Sequence, residues 1–178
     1  MQTSIAQDLL AQFLESARAT GATVETSPRT VLDLTASLFK VTADDEKVLF
    51  ARPDFVSHEL FAQFILEKKV ITRPTNDELS SVPTGVTDAF GGVASTGSLC
   101  VSVSGNPTGL VSLLTRKHIA VLDSRTIVPR PRDIFESNTV NSLKRSFSFI
   151  TGPSATADMG PLVVGVHGPG QLHIIVLE

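Results

Sequence analysis

The sequence predicts an α/β fold whose mixed sheet is covered by helices on both faces. Three observations support this. Helical and strand periodicities alternate through the first half of the chain. A hairpin-like segment follows at 86–103, and after Gly97 the apolar Leu99, Val101 and Val103 alternate with Cys100, Ser102 and Ser104. Near the C-terminus two apolar runs, 162–166 and 172–177, flank a His167-Gly168-Pro169-Gly170 turn and read as two buried strands. At 178 residues the chain fits a single domain, spanning 1–178. That length buries about two-thirds of the unfolded surface.

Ser4 is placed to cap a first helix, in which Ile5, Leu9, Phe13 and Ala17 recur every four residues and Gly21 marks the stop. Ser27-Pro28 reads as the start of a second helix, with Val31, Leu34, Leu38 and Phe39 as its buried stripe. A short strand is expected at 47–51, a helix from Ser57 and a strand at 70–72. Beyond the hairpin-like segment, Asn106-Pro107-Thr108-Gly109 reads as a turn, 110–114 as a short helix and 118–122 as a buried strand. A helix of about a dozen residues is expected from Asp133, and a strand over 147–150. Ligands of open α/β sheets bind beyond the carboxyl ends of the strands. The loops at 95–98, 105–109 and 152–158 are therefore the expected ligand loops.

Composition narrows the function. Hydrophobic residues make up 42% and charged residues 19%, which fits a globular chain. All ten aromatic residues are Phe, so no Tyr or Trp base-stacking surface exists. The net charge of −3 and the absence of a nucleic-acid motif argue against a nucleic-acid partner. Residues 116–145 hold seven Lys/Arg against three Asp/Glu, so this segment carries +4 and the remainder −7. It reads either as a solvated face or as an attractor for an anionic ligand or acidic partner. One cysteine, Cys100, excludes an intrachain disulfide and a self-contained iron–sulfur cluster, and reads as a buried, inert thiol. No signal segment or membrane span is evident, and a cytoplasmic location is expected.

Several segments could carry a site. Ser95-Thr96-Gly97-Ser98 could hold a phosphate or carboxylate through its hydroxyls and N–H groups, or be an ordinary tight turn. Gly152-Pro153-Ser154-Ala155-Thr156-Ala157-Asp158 follows a strand, and its Ser154 or Thr156 could cap a short helical turn that faces an anion. Asp158 could accept a substrate proton or act as a cap. His167 and His173 lack a third ligand, so no metal is assigned. His118 and His58 carry no motif. No Walker A loop, nucleophile elbow or dinucleotide fingerprint occurs.

Three stretches, in this order, resemble the LutC/YkgG-type lactate utilisation proteins, the LUD domain family. They are VTDAFGGVASTGSLCV at 86–101, GLVSLLTRKHIAVLDSRTIVP at 109–129 and ITGPSATADMGPLVVGVHGPGQLHIIVL at 150–177. The resemblance implies a three-layer α/β sandwich with a Rossmann-like sheet, similar to the sugar-phosphate isomerase and CoA-transferase group. It implies a role in oxidising lactate to pyruvate beside partner subunits that carry iron–sulfur clusters, with no intrinsic cofactor. The ligand site would hold a small anion with Thr96, Gly97, Ser98, Gly152, Ser154, Thr156 and His167, and Asp158 would be the catalytic candidate. Relatives commonly have Ala-Glu-Thr-Gly-Thr where this chain has Ala94-Ser95-Thr96-Gly97-Ser98. The missing acid favours a binding or assembly subunit over a stand-alone transferase or isomerase acting on a phosphorylated or CoA-linked metabolite.

Overall fold

A computed structural model describes residues 2–103, 108–136, 146–158 and 160–178. The chain opens with α1 (Gln2–Ala19), β1 (Thr23–Ser27), α2 (Val31–Val41) and β2 (Val48–Phe50). A 3-10 turn at His58–Phe61 leads into α3 (Ala62–Glu67), followed by β3 (Val70–Ile71) and α4 (Asn76–Ser81). Then come β4 (Thr84–Ala89), β5 (Gly91–Val93), β6 (Ser98–Ser102), α5 (Thr108–Leu114) and β7 (Lys117–Asp123). The last elements are β8 (Ile127–Val128), α6 (Pro131–Glu136), β9 (Phe147–Ile150), β10 (Ala155–Thr156), β11 (Val163–Val164) and β12 (Gln171–Leu177). The expected turn at Asn106-Pro107 and the expected continuation of α6 lie outside the described residues.

Six strands form a parallel sheet in the order β1-β12-β7-β4-β2-β3. The expected mixed pairing resides in a second sheet, β8-β5-β6-β9, where β6 is antiparallel to both neighbours and β5 is parallel to β8. Helices α2 and α3, with the 3-10 turn ahead of α3, cover one face of the large sheet through Leu34, Leu38, Phe61 and Phe64. On the other face α1 and the small sheet share a core built on Phe13, Leu99, Leu122 and Ile174. Strand β6 is buried along its whole length, not on one side only. Leu99 and Val101 face the shared core, while Cys100 faces a second cluster with Phe90 and Ile134.

Local chemistry moved several expected boundaries. Thr30, not Ser27, caps α2, because its hydroxyl accepts from Asp33 N. Ser27 instead closes β1, and its carbonyl accepts from Glu178 N at 3.0 Å. Ser4 lies inside α1, which already includes Gln2. Helix α4, absent from the expected elements, carries a capping box in which Thr75 and Glu78 satisfy each other's N–H groups. The largest correction concerns 162–166. Only Val163 and Val164 are extended, they pair with β10 alone, and every residue of the run is exposed. An apolar run with no second sheet to cover it became a surface hairpin.

Two glycines fasten α1. Gly97 has φ +64°, and a Cβ there would lie 2.2 Å from Ala17 N. Gly152 has φ +74°, and a Cβ would lie 2.3 Å from Thr20 O. Backbone touches backbone at both points, so no side chain can be accommodated by rotation. Gly97→Ala should cost at least about 2 kcal/mol, through the strained φ and the displaced helix. Urea unfolding measures it, and a loss below about 0.5 kcal/mol, the range of neutral surface changes, would mean that the hairpin does not press on α1.

Candidate functional site

Strands β4, β7 and β12 begin level with one another, with Thr84 and Gln171 both opposite Lys117. Lys117 Nζ donates to Asp45 Oδ2 at 2.8 Å and to the Val41 carbonyl at 2.9 Å. Thr84 donates to Asp45 Oδ1 at 2.8 Å. These strand starts form the floor of an open groove of about 790 Å³. Leu113 and Leu114 of α5 form one wall, and the 164–170 turn forms the other. Arg116 lines the groove, is exposed, and has no carboxylate partner among the described residues.

A smaller pocket of about 260 Å³ adjoins the groove and shares Leu113, His167 and Gly168 with it. Its lining includes Ser112, His118, Phe149, Ser154 and Leu172. His118 is fully buried. Its Nε2 lies 2.9 Å from Thr87 Oγ1, while Nδ1 has no partner among the described residues. Burial pushes the imidazole down to about 4, so it is neutral near pH 7. Ser154 sits on the seam, where its N–H donates to the Pro169 carbonyl and its own carbonyl accepts from Gly165 N, both at 2.8 Å.

The expected ligand residues divide. Gly152, Ser154 and His167 line the small pocket; Thr96, Gly97 and Ser98 do not. The two loops nevertheless meet through hydroxyls. Thr96 Oγ1 lies 2.6 Å from Ser98 Oγ, which lies 2.7 Å from Thr151 Oγ1 on the pocket wall. Thr156 pairs with Val163 in the surface hairpin, and Asp158 is exposed outside the pocket. His173 is engaged by Thr23 at 2.7 Å and by Glu25 at 3.3 Å. No cluster of three His, Cys, Asp or Glu residues able to hold a metal occurs among the described residues. Cys100 is buried, and burial raises its thiol to about 12.

The cleft opens at the amino ends of the parallel strands, opposite to the expected edge. The carboxyl ends are already occupied. Strand β4 runs into the second sheet with Phe90 alone between β4 and β5, and β7 enters it through a turn at Ser124–Thr126. At that edge Asp123 is clamped by Arg29 and Arg125. Burial pushes the Asp123 carboxyl up, but these hydrogen bonds win and hold it well below the usual carboxylate range. Asp88 accepts the N–H groups of Asp54, Phe55 and Val56 and anchors a loop. His118, Ser112 and Arg116 line the two cavities and were not among the expected ligand residues. The available signal was a histidine inside the otherwise apolar run of β7.

His118 makes stability depend on pH. The unfolded imidazole titrates near 6.5, while the folded one stays neutral down to about 4. Within that window the unfolded chain binds an extra proton, so stability rises with pH and the penalty vanishes above about 6.5. Between about pH 7 and pH 5 the loss attributable to His118 should be about 2 kcal/mol. Asp123 stays ionised over this range and adds little slope. Urea unfolding of the parent and His118→Asn at both pH values isolates the effect. Equal pH slopes would refute it.

The LUD domain sequence model matches residues 5–177. A protein named Lactate utilization protein C from Halalkalibacterium halodurans is 39% identical over 101 residues, which is 53% of this chain and 44% of that protein. Its namesake from Geobacillus sp. is 44% identical over 84 residues, 43% of this chain and 35% of that one. The Bacillus subtilis protein of the same name is 40% identical over 74 residues, 38% and 31% of the two chains. The matched stretches span less than half the length of these relatives. A crystal structure of a DUF162 family protein from Deinococcus radiodurans superposes with a TM-score of 0.74 over 97% of this chain and 98% of that one, at 18% identity. That likeness speaks to the fold. Because the family match runs through both sheets and the whole cleft, this chain belongs to the LUD domain family.

Proposed function

We propose that this chain is an accessory, ligand-binding component of a lactate utilisation system, which binds a small anion in the amino-edge cleft and docks an iron–sulfur redox partner. The observation that carries this is the mouth of the cleft. Leu113, Leu114, Val164 and Val166 are all exposed around it, and Arg116 stands among them. Apolar side chains exposed on both walls favour contact with a protein, and a cation between them favours an anion. The names of the relatives suggest the process, lactate utilisation. The single cysteine is buried with its thiol held protonated, so in this reading the electron carriers belong to partner subunits.

A stand-alone transferase or isomerase would need a free carboxylate aimed into the cleft. Asp45, which lines the groove, is bonded to Lys117 and Thr84. Asp158 is exposed outside the small pocket. Both facts favour binding over catalysis by this chain.

The test is affinity capture from lactate-grown cells of the native host. The parent chain should retain iron–sulfur proteins. A Leu113→Asp, Val164→Asp double variant should retain about tenfold less or lower still, because each charge would have to be desolvated at the rim. Both substituted positions are exposed, so the fold should survive, and circular dichroism checks it. Absence of any iron–sulfur protein in the parent capture, or equal capture by the folded variant, would overturn the reading.

A further inference from the structure

We infer that Thr23, His173 and Glu25 form a triad of nucleophile, base and carboxylate, and that Thr23 Oγ1 takes up the acyl group of small uncharged carboxylic esters. The inference goes beyond the binding and docking role proposed above. It concerns a third cavity, at the β1 end of the amino edge.

Strands β1 and β12 run parallel, with Thr23 opposite His173. Glu25 lies two residues beyond Thr23 and therefore on the same face of β1. Thr23 Oγ1 is 2.7 Å from His173 Nδ1, and Glu25 Oε1 is 3.3 Å from His173 Nε2. Lys40 Nζ donates to the other Glu25 oxygen, Oε2, at 2.7 Å and leaves Oε1 to the imidazole. A carboxylate paired with a lysine accepts and does not donate, so the ring proton sits on Nε2 and points at Glu25. Nδ1 is then an acceptor, and the Thr23 hydroxyl donates to it. The other acceptor within reach of that hydroxyl, the Leu172 carbonyl, is farther away at 3.3 Å. Nucleophile, base and orienting carboxylate thus stand in the order that activates a hydroxyl.

Thr23 is exposed, so solvent and ligand reach its oxygen, and a cavity of about 340 Å³ opens beside it and His173. Burial lowers the imidazole most; Glu25 opposes this, and Lys40 and Lys117 lower it further. The ring is therefore neutral near pH 7 and free to take a proton. Val41, Pro153 and Leu172 give the cavity carbon walls. Lys117 lines it too, and its charge is balanced by Asp45, so the resting site suits a neutral ester better than an acid. As Thr23 Oγ1 attacks the carbonyl carbon, its proton passes to His173 Nδ1 and the carbonyl π pair moves to the oxygen, a charge that Lys117 favours. When that pair returns, the bond to the alcohol oxygen breaks and His173 gives the proton to the leaving alcohol. Acyl-Thr23 remains, and water attacking by the same route releases the acid and restores the hydroxyl. This chemistry asks for no free carboxylate, because the imidazole is the base.

The probe is 4-nitrophenyl acetate, with the acetyl group located by tandem mass spectrometry. Lys69, beside β3 at the opposite edge of the large sheet, serves as the internal control. In the parent, Thr23 should become acetylated. His173→Gln should slow that step about a hundredfold, the scale of a general base, while Lys69 is labelled as before. Labelling of Thr23 should rise with pH through the imidazole titration and level off by about pH 7. Labelling of Lys69 should go on rising toward the lysine range, near 10.4. The pH profile needs only the parent and decides the matter even if the variant fails to fold. The inference is overturned if Thr23 carries no acetyl group at millimolar ester, if the folded His173→Gln variant labels Thr23 as fast as the parent, or if Thr23 follows the pH course of Lys69. None of these outcomes bears on partner capture, which tests the docking role separately.

Discussion

Strand β7 pairs with β12 over seven residues and with β4 over six, and the cleft depends on that register. It sets Thr84, Lys117 and Gln171 in one row, and it places His118 one residue inward. The alternation of a strand then sends Lys117 toward Asp45 and His118 to the opposite face, among Leu172 and the pocket wall. A slip of one residue would exchange them. The register is held by side chains of opposite faces: Ile119 and Val121 against α2 and α3, Ala120 and Leu122 against α1 and the small sheet. Core packing therefore determines which polar residue lines which half of the cleft.

The same packing explains how an imidazole nitrogen with no partner among the described residues is tolerated. His118 lies between two well-filled strands, and its ring's one hydrogen bond among the described residues is with Thr87 of β4, in the middle of the sheet. The Arg29 and Asp123 clamp and the three N–H groups on Asp88 reinforce the carboxyl edge. Polar pairing also holds the amino edge, where Lys117 and Thr84 both donate to Asp45. Around the cleft at that edge, Arg116 is exposed and His118 Nδ1 has no partner among the described residues.

Much of this architecture was legible in the sequence. The helical stripe of Leu9, Phe13 and Ala17, the apolar strand at 118–122 and the strand at 147–150 all follow periodicity, which reflects one buried face or two. The run at 162–166 misled because apolar composition records affinity for a cover, not its presence, and no second sheet reaches it. The strand β1 was hidden because Thr23, Glu25 and Thr26 are polar, as an edge strand of the large sheet allows. Some of the small pocket's lining was legible too. Gly152, Ser154 and His167 lie in segments whose composition already suggested loops. His118 was not singled out, because a histidine at the head of an apolar strand carries no motif of its own.

Gly97 illustrates a deeper ambiguity. A glycine at positive φ between hydroxyl residues suits a bound anion, but it suits a helix backbone equally, and here α1 is the neighbour. Position 95 can be reread in the same way. Ser95 is exposed at the hairpin tip, where its N–H donates to the Pro129 carbonyl at 3.1 Å. An acid at this position would stand outside the small pocket, so its absence removes no carboxylate from that site. The hairpin instead reaches the pocket through hydroxyls, from Thr96 to Ser98 to Thr151. Each hydroxyl in such a chain can donate once and accept from its neighbour, so a ligand bonded to Thr151 would orient the others in turn. The hairpin and the pocket are in this way coupled, by hydrogen bonds that run past the end of α1 rather than by a shared cavity.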